Sequence, residues 1–290
     1  MDRKFNQLTR AVGKQEAGRT LVSYLQKKFN LSAKAAKTFL EQGGCRLNGV
    51  IERFGSVRLQ QKDRLDFDEV PAKKPPPPRS FSHLFEDNHL LICCKPPGIV
   101  SEQATFVKLL NRPVWLVHRL DKETSGVMVV AKTPSMQQQL AALFKRRQVA
   151  KSYFAVVQGQ VKEETKRLCT FVAEKTRYEG QTVWQVSASG KRAMTDWRCI
   201  RRGNNKTLLQ CWPHTGRTHQ LRVHLSSQGH PILGDVQYGG RHRCGHQAAH
   251  RLFLHAYALS FVHPVSGQTL SQIAPLPEAF RAILGPQAGA

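Results

Sequence analysis

The sequence predicts an α+β protein whose larger part contains a mainly antiparallel, mixed sheet. Candidate strands outnumber candidate helices, and clean strand–helix–strand repeats, which would favour a parallel sheet, are few. Four consecutive prolines at residues 75–78 are typical of an extended spacer, and 290 residues suggest about two domains. We therefore predict a small αβ domain at residues 1–72, a proline-rich linker at 73–84 and a larger domain at 85–290.

The first domain begins with two predicted helices. Leu21, Leu25 and Phe29 recur at about four residues, which is the spacing of one helical face. A second helix is predicted at 33–42, with Ser32 as its N-cap and two glycines after it.

Short strands follow these helices. The Asn48-Gly49 pair predicts a tight turn between two β segments, and residues 64–67 form a further strand candidate.

The second domain is dominated by apolar runs rich in valine. Its strand candidates are residues 89–94, 127–132, 153–157 and 207–212. Its helix candidates are residues 136–146 and 217–226.

The charge balance indicates a polyanionic partner. Lys and Arg number 44 against 20 Asp and Glu, which makes the formal net charge +24. Such an excess destabilises a compact chain by self-repulsion unless a polyanion neutralises it. Between Trp197 and Glu278 the sole acid is Asp235, against nine basic residues, which indicates a basic face. A solvated surface tuned for solubility is the alternative.

Several features favour a reducing, cytoplasmic compartment. The sequence has no run of 18 apolar residues, and its polar start lacks a signal core, so no membrane association is expected. The seven cysteines are odd in number and irregularly spaced, which indicates reduced thiols. Because no heptad or unpartnered apolar stripe is evident, we expect a monomer without an obligate protein partner.

The most informative segment is HRLDKETSG at residues 118–126. It places the carboxylate of Asp121 between an arginine and a turn of small residues, directly before the apolar run 127–130. A fixed carboxylate at the edge of a strand is costly in so basic a chain unless it has a function. In this context the obvious negatively charged partner is RNA.

Four segments together resemble the RluA-type pseudouridine synthases, which isomerise uridine within RNA. They are residues 95–98, 118–126, 151–159 and 216–224, and their order and spacing match over residues 85–270. The resemblance implies a catalytic domain of the pseudouridine synthase type. The reaction needs no redox step and no group donor, so no organic cofactor is expected.

The resemblance also implies three catalytic residues. Asp121 takes the place of the family's catalytic aspartate, and whether it attacks the sugar, adds to the base or removes a ribose proton is left open. Arg222 matches the arginine that keeps this carboxylate ionised, with a phosphate contact as the alternative. Tyr153 matches the pocket tyrosine on which a flipped base stacks, with a buried core tyrosine as the alternative.

Further residues are implied around these three. Arg119 matches an arginine that helps to displace the base, although a phosphate contact is the alternative. Arg217 and His219 are expected to contact RNA from segment 216–224. Residues expected to support the pocket are Lys95, Pro96, Thr124, Gly126 and Leu221.

The first domain is similar to the S-four-type RNA-binding domain of a small-subunit ribosomal protein. Matching residues include Arg19, Leu21, Leu25, Ser32 and the Leu47-Asn48-Gly49 segment. In that family the helix pair contacts RNA, which here implies Lys34 and Lys37. An ordinary small αβ module is the alternative.

A cluster of His242, Cys244, His246 and His250 invites comparison with zinc sites. Its spacing matches no standard finger and no second Cys pair lies nearby, so we predict no metal site.

We therefore predict an RNA pseudouridine synthase acting on structured RNA, with ribosomal RNA before transfer RNA as substrate. Two other functions are weighed against it. A catalytically silent RNA-binding or ribosome-assembly factor would not need an intact HRLD segment. A carboxylate-based glycosidase acting on nucleosides would usually need a second carboxylate beside Asp121.

Overall fold

In a computed structural model, the chain divides into two compact units, Met1–Pro75 and Pro76–Ala290, with the boundary inside the proline run. The structure describes residues 8–41, 43–67, 81–178, 181–240, 243–244, 247–249 and 251–284. Most of the predicted linker, 73–80, lies outside these ranges, while its last residues enter the first strand of the second unit.

The first unit packs two helices against a small antiparallel sheet. The helices are α1 (Leu21–Phe29) and α2 (Ala33–Glu41). The strands are β1 (Leu8–Ala11), β2 (Cys45–Leu47), β3 (Val50–Ile51) and β4 (Arg64–Phe67), in the sheet order β1-β4-β2-β3. Their apolar faces form one core, with Leu21, Leu25 and Leu40 fully buried.

Local sequence signals explain these elements. Ser32 Oγ accepts a hydrogen bond from the Ala35 N–H at 3.1 Å, as an N-cap does. Asn48 and Gly49 have φ values of 52° and 85°, which is the left-handed conformation that a two-residue hairpin turn requires. The predicted second helix ends at Glu41, and its last predicted residue, Gln42, is not described.

The second unit contains one large sheet, a separate two-stranded sheet formed by residues 243–244 and 247–248, and several helices. Its strands are β5 (Ser82–Glu86), β6 (Leu90–Lys95), β7 (Trp115–Leu116), β8 (Ser125–Ala131), β9 (Ala150–Gln158), β10 (Thr165–Tyr178), β11 (Gln181–Ser187), β12 (Lys191–Gly203), β13 (Lys206–Pro213), β14 (Arg243–Cys244), β15 (Gln247–Ala248), β16 (Leu254–Val262) and β17 (Thr269–Ile273). Its helices are α3 (Gln103–Leu110), α4 (Pro134–Lys145), α5 (Gln220–Ser227) and α6 (Glu278–Leu284), and a short 3-10 helix spans Val236–Tyr238.

The large sheet has the order β11-β10-β12-β13-β9-β16-β8-β6-β5, with β17 beside β16 and β7 beside β8. Among the described strand pairs of this unit, β8 with β16 is parallel and the others are antiparallel. The prediction of an α+β fold with a mainly antiparallel, mixed sheet is confirmed. None of the described helices combines the length and the apolar character needed to cross a bilayer.

Two details differ from the sequence prediction. The helix predicted at 217–226 begins at Gln220, because His219 has a left-handed backbone that helical residues do not adopt. The long strands β10, β11 and β12 were not predicted. Strands β10 and β12 expose many polar and charged side chains, and β11 mixes polar with apolar residues. In β12, however, Ala193, Thr195 and Trp197 alternate as buried residues, which is the period-two pattern of a strand with one solvated face.

Strand β8 lies at the centre of the larger core, and all seven of its residues are buried. Gly126 sits where β8 pairs with both β6 and β16, opposite Lys95 and Ala256. Its φ is 120°, and a Cβ added here would clash with the backbone of Ala256, above all with its carbonyl oxygen. The close approach of three strands therefore requires glycine.

We expect Gly126→Ala to lower the free energy of unfolding of the second unit by about 3 kcal/mol or more, because it adds backbone strain and separates β8 from β16. Urea denaturation monitored by tryptophan fluorescence measures this loss. Gly216→Ala is the matched control, since its Cβ would meet nothing within 4 Å. Equal stability of the two variants would contradict the packing described for Gly126.

Candidate active site

A cleft of about 1130 Å³ opens over the middle of the large sheet. Among the described residues that line it, Asp121 is the sole carboxylate. Its basic lining residues are Arg119, Lys145, Arg147, Lys151, Arg217 and Arg222. The cleft is thus strongly positive around a single negative group, which suits an anionic ligand.

The strand order explains why distant segments meet here. Strands β13, β9, β16 and β8 are neighbours in the sheet. Asp121 lies four residues before the first residue of β8, Tyr153 lies within β9, and Arg222 lies in α5, which follows β13. The sheet therefore brings together three residues that the sequence separates widely.

The backbone around Asp121 is held on both sides. Ser101 Oγ donates to the Leu120 carbonyl at 2.7 Å and accepts from the Leu120 N–H at 3.2 Å. On the other side, the Thr124 N–H donates to the Asp121 carbonyl at 3.0 Å. These bonds leave the carboxylate as the free end of a rigid turn.

Lys95 fixes this turn through hydrogen bonds to backbone carbonyls. It is fully buried, and its Nζ donates to the carbonyls of Pro96, Ile99 and Lys122 at 2.9, 2.9 and 3.0 Å. Burial lowers the pKa of Lys95 to about 7, whereas three acceptors match the three N–H groups of its ammonium form. Lys95 thereby ties the turn at residues 96–99 to the residue that follows Asp121.

Arg222 approaches the carboxylate as predicted, with its Nη1 3.5 Å from Asp121 Oδ2. Its shorter bonds go elsewhere: Nε and Nη2 donate to Asp235 at 2.7 and 2.8 Å, and Nη2 also donates to Gln237 Oε1 at 2.9 Å. The guanidinium also lies 4.8 Å from the centre of the Tyr238 ring, within the range of a cation–π contact. Burial opposes its charge, but Asp235 outweighs this effect and raises the pKa of Arg222.

Tyr153 is a half-buried residue on the floor of the cleft. It pairs with Cys211 of β13 on one side and with Ala256 of β16 on the other, so its strand is held from both edges. Burial and the charge of Asp121 raise the pKa of Tyr153, which keeps its hydroxyl protonated. The ring is therefore a neutral, fixed surface beside the carboxylate.

His219 stands directly before α5, and its Nε2 lies 3.9 Å from Asp121 Oδ1. Arg119 and Arg217 line the cleft, Arg119 being exposed and Arg217 half-buried. Leu221 and Thr124 line it as buried residues, and Thr124 Oγ1 has no hydrogen-bond partner among the described residues.

The remaining predicted residues lie elsewhere. Lys95, Pro96 and Gly126 do not line the cleft, although Lys95 and Gly126 shape the elements around it. Lys34 and Lys37 are exposed on α2 of the first unit.

Three residues that hold Arg222 were not assigned a role from the sequence: Asp235 and Gln237 accept its hydrogen bonds, and the Tyr238 ring lies against its guanidinium. The signal for Asp235 was present, because it is the sole acid in a long basic stretch. His118 was also overlooked: its Nε2 accepts from the Val129 N–H at 3.1 Å and its ring stacks on Phe144, which fixes the segment before Asp121 to β8.

Among the described residues, no group of three or more His, Cys, Asp or Glu side chains could hold a metal ion. The cluster considered for zinc falls outside this statement. His242, His246 and His250 are not among the described residues, and the side chain of Cys244 is not described.

Comparisons with known proteins agree on one family. The profile of a family described as RNA pseudouridylate synthase matches residues 89–227. Ribosomal large subunit pseudouridine synthase C of Vibrio vulnificus is 35% identical over 253 residues, covering 81% of this chain and 78% of the relative. The protein of the same description from Pasteurella multocida is 32% identical over 301 residues, covering 94% and 92%.

Two solved human structures are also similar. RNA Pseudouridylate Synthase Domain Containing 4 has a TM-score of 0.58 and 29% identity, covering 69% of this chain and 90% of that chain. RNA Pseudouridylate Synthase Domain Containing 1 has a TM-score of 0.61 and 24% identity, covering 70% and 86%, and supports the fold alone.

We expect Asp235→Asn to lower the free energy of unfolding by about 3 kcal/mol, because it leaves the buried Arg222 guanidinium without its compensating charge. Chemical denaturation of the second unit measures the change. Asp196→Asn is the matched control: Asp196 also binds an arginine through both oxygens, Arg167 at 2.7 Å, but that arginine is exposed. Its loss should be below about 1 kcal/mol. Similar losses for both variants would show that Asp235 has no special role in holding Arg222.

Proposed function

Since the chain belongs to the RNA pseudouridylate synthase family, it is an isomerase that converts uridine to pseudouridine within RNA, and we propose that Asp121 is its catalytic carboxylate. One observation carries this assignment. Asp121 and Arg222 are 101 positions apart in the chain and face each other across 3.5 Å in a cleft that otherwise offers basic and neutral groups among its described lining residues.

The chemistry suits a carboxylate in this setting. The isomerisation breaks the nitrogen–carbon bond between uracil and ribose and forms a carbon–carbon bond in its place. A proton leaves the newly bonded ring carbon and the freed ring nitrogen gains one, so atoms and charge balance without an oxidant or a donor. A carboxylate supplies the nucleophile or base that such a rearrangement needs.

Arg222 and Tyr153 complete the proposed site. The guanidinium, 3.5 Å from Asp121, directs this carboxylate into the cleft, because its planar N–H groups match the geometry of carboxylate oxygens. Tyr153 receives the uracil after the target nucleotide leaves its stack, and stacking on an aromatic ring contributes about 1–3 kcal/mol per base. Arg119, an exposed residue that lines the cleft, is proposed to help displace the base from its stack.

RNA binding is proposed to use both units. In the second unit the basic lining residues, Arg217 among them, contact phosphates. In the first unit, the helix–hairpin arrangement and exposed Lys34 and Lys37 on α2 support an S-four-type RNA-binding domain at residues 1–72.

The substrate is proposed to be large-subunit ribosomal RNA. The similar proteins from Vibrio vulnificus and Pasteurella multocida are both described as ribosomal large subunit pseudouridine synthases. Transfer RNA is the second candidate. We propose that the enzyme works as a monomer in the cytoplasm, without a cofactor or an obligate protein partner.

A nucleoside glycosidase is less well supported. That reaction usually uses two carboxylates flanking the scissile bond. Asp235, the other acid that pairs with Arg222, is almost completely buried and directs both oxygens at Arg222, so it is not placed to protonate or attack a ligand.

We expect Asp121→Asn to abolish pseudouridine formation and to leave RNA affinity within about threefold of the parent, because the amide keeps the shape of the side chain and loses its nucleophilicity. Pseudouridine mapping in large-subunit ribosomal RNA, from cells that lack this gene and carry either form, measures product. Filter binding of the same RNA measures affinity.

Glu123→Gln is the control for that experiment, since it removes an exposed carboxylate two residues away that does not line the cleft. It should restore every modified position. Full modification by Asp121→Asn would exclude Asp121 as the catalytic group. Modification confined to transfer RNA by the parent enzyme would overturn the proposed substrate.

We also expect RNA affinity to fall steeply with salt, because phosphate contacts release counterions. Removing one phosphate contact should reduce the slope of log affinity against log salt by about one, and Lys145→Ala at the cleft tests this. Lys166→Ala serves as control, because Lys166 is paired with Glu163 at 3.0 Å outside the cleft. If neither variant changes the slope of log affinity against log salt, Lys145 does not contact an RNA phosphate.

A further inference from the structure

A chain of two hydrogen bonds, from a backbone amide of β11 through the Tyr238 hydroxyl, indicates which ring nitrogen of His219 carries a hydrogen. The Trp184 N–H donates to Tyr238 Oη at 3.1 Å, and a backbone N–H is always a donor. Tyr238 Oη lies 2.7 Å from His219 Nδ1. The Tyr238 hydroxyl has one hydrogen to donate, and His219 Nδ1 is its acceptor among the described hydrogen bonds, so we assign Nδ1 as the accepting nitrogen.

The opposite ring nitrogen therefore carries the hydrogen of the neutral imidazole. This Nε2–H group faces Asp121 Oδ1 across 3.9 Å, while Arg222 Nη1 faces Oδ2 across 3.5 Å. Each oxygen of the carboxylate thus faces a donor group, one neutral and one charged, and the His219 group stands beyond hydrogen-bond distance. Catalytic hydrogen bonds are often long without substrate and shorten once it binds.

The backbone of His219 is also unusual. Its φ is 55° and its ψ 21°, a left-handed conformation that residues with a Cβ adopt at a cost in free energy. The next residue, Gln220, anchors this corner, because its side chain bonds Met194 and Thr195 of β12 at 3.0 and 2.9 Å. The corner holds the imidazole between Tyr238 and Asp121.

We propose that His219 is a positioning residue that holds Asp121 through its Nε2–H, with the hydrogen-bond chain from Trp184 through Tyr238 fixing its tautomer. This proposal rests on the proposed catalytic role of Asp121. It differs from the expectation that His219 contacts RNA, because both ring nitrogens already face protein groups.

A neutral donor at this position has a chemical advantage. Burial and the charge of Arg222 lower the pKa of His219, so the ring remains neutral at physiological pH. A second full positive charge beside Asp121 would stabilise the resting carboxylate further and make it a weaker nucleophile. A neutral N–H fixes its orientation without that effect.

The test is the single-turnover rate of pseudouridine formation at saturating enzyme, measured with RNA affinity for each variant. His219→Leu removes both ring nitrogens and should lower the rate about tenfold, as expected for losing a hydrogen bond to a charged group. His219→Gln places an amide N–H near the position of Nε2 and should restore the rate to within about threefold. RNA affinity should change less than about twofold in both.

Tyr238→Phe provides a second route if His219→Leu proves unstable. It keeps the ring over Arg222 and removes only the hydroxyl that orients His219. The rate should fall about threefold, and adding His219→Leu should lower it no further than His219→Leu alone, because the two residues act in series.

Several results would overturn the proposal. If His219→Leu binds RNA more weakly but keeps the parent rate, His219 is an RNA contact. If Tyr238→Phe keeps the parent rate, the hydrogen bond from Tyr238 to His219 has no part in the mechanism. An inactive Asp121→Asn beside a fully active His219→Leu refutes this inference alone, whereas an active Asp121→Asn refutes the proposed function itself.

Discussion

The buried ion pair between Arg222 and Asp235 is the interaction on which the geometry of the cleft depends. Asp235 compensates the charge of a guanidinium whose side chain is only 11% exposed, and it aims that group through two hydrogen bonds. Once fixed, Arg222 presents its remaining Nη1 to Asp121. The short bonds between Arg222 and Asp235 hold the guanidinium in place, whereas the longer contact with Asp121 orients the carboxylate in the cleft. Asp121 therefore keeps hydrogen-bonding capacity for a ligand.

Around Asp121, too, the groups that fix the backbone are distinct from those that face the carboxylate. Backbone groups beside it are held by Ser101 and Lys95, which makes the turn rigid without touching the carboxylate. The Ser101 hydroxyl bonds both backbone polar groups of Leu120, which fixes the residue directly before Asp121.

Sequence reasoning reached the parts of the molecule that local rules control. The Asn48-Gly49 turn, the Ser32 cap and the apolar strand β8 follow from residue types and spacing, and the structure contains all three. The juxtaposition of Asp121 and Arg222 was predicted from the family resemblance, and the structure places them together. The roles of the individual site residues remain proposals that the variants above test.

Other features could not be predicted, for physical reasons. Strands β10, β11 and β12 lie at one edge of the large sheet and are partly exposed. Because polar residues interrupt their apolar ones, these strands contain no apolar run that would indicate them in the sequence. The partners of Arg222 depend on which loops the sheet brings together, and spacing along the chain does not contain that information. Even so, an isolated acid such as Asp235 within a basic stretch is a signal for a buried ion pair.

The parallel pairing of β8 with β16 has a consequence for biosynthesis. Strand β16 lies between β8, next to Asp121, and β9, which contains Tyr153, yet it is among the last parts of the domain to be translated. Contacts between residues so far apart form slowly, because the intervening polypeptide must first be closed into a loop. A nascent chain that has not yet released residues 254–262 from the ribosome therefore cannot complete the sheet that joins the two halves of the site, and the site forms only after a strand translated later than Asp121, Tyr153 and Arg222 has emerged.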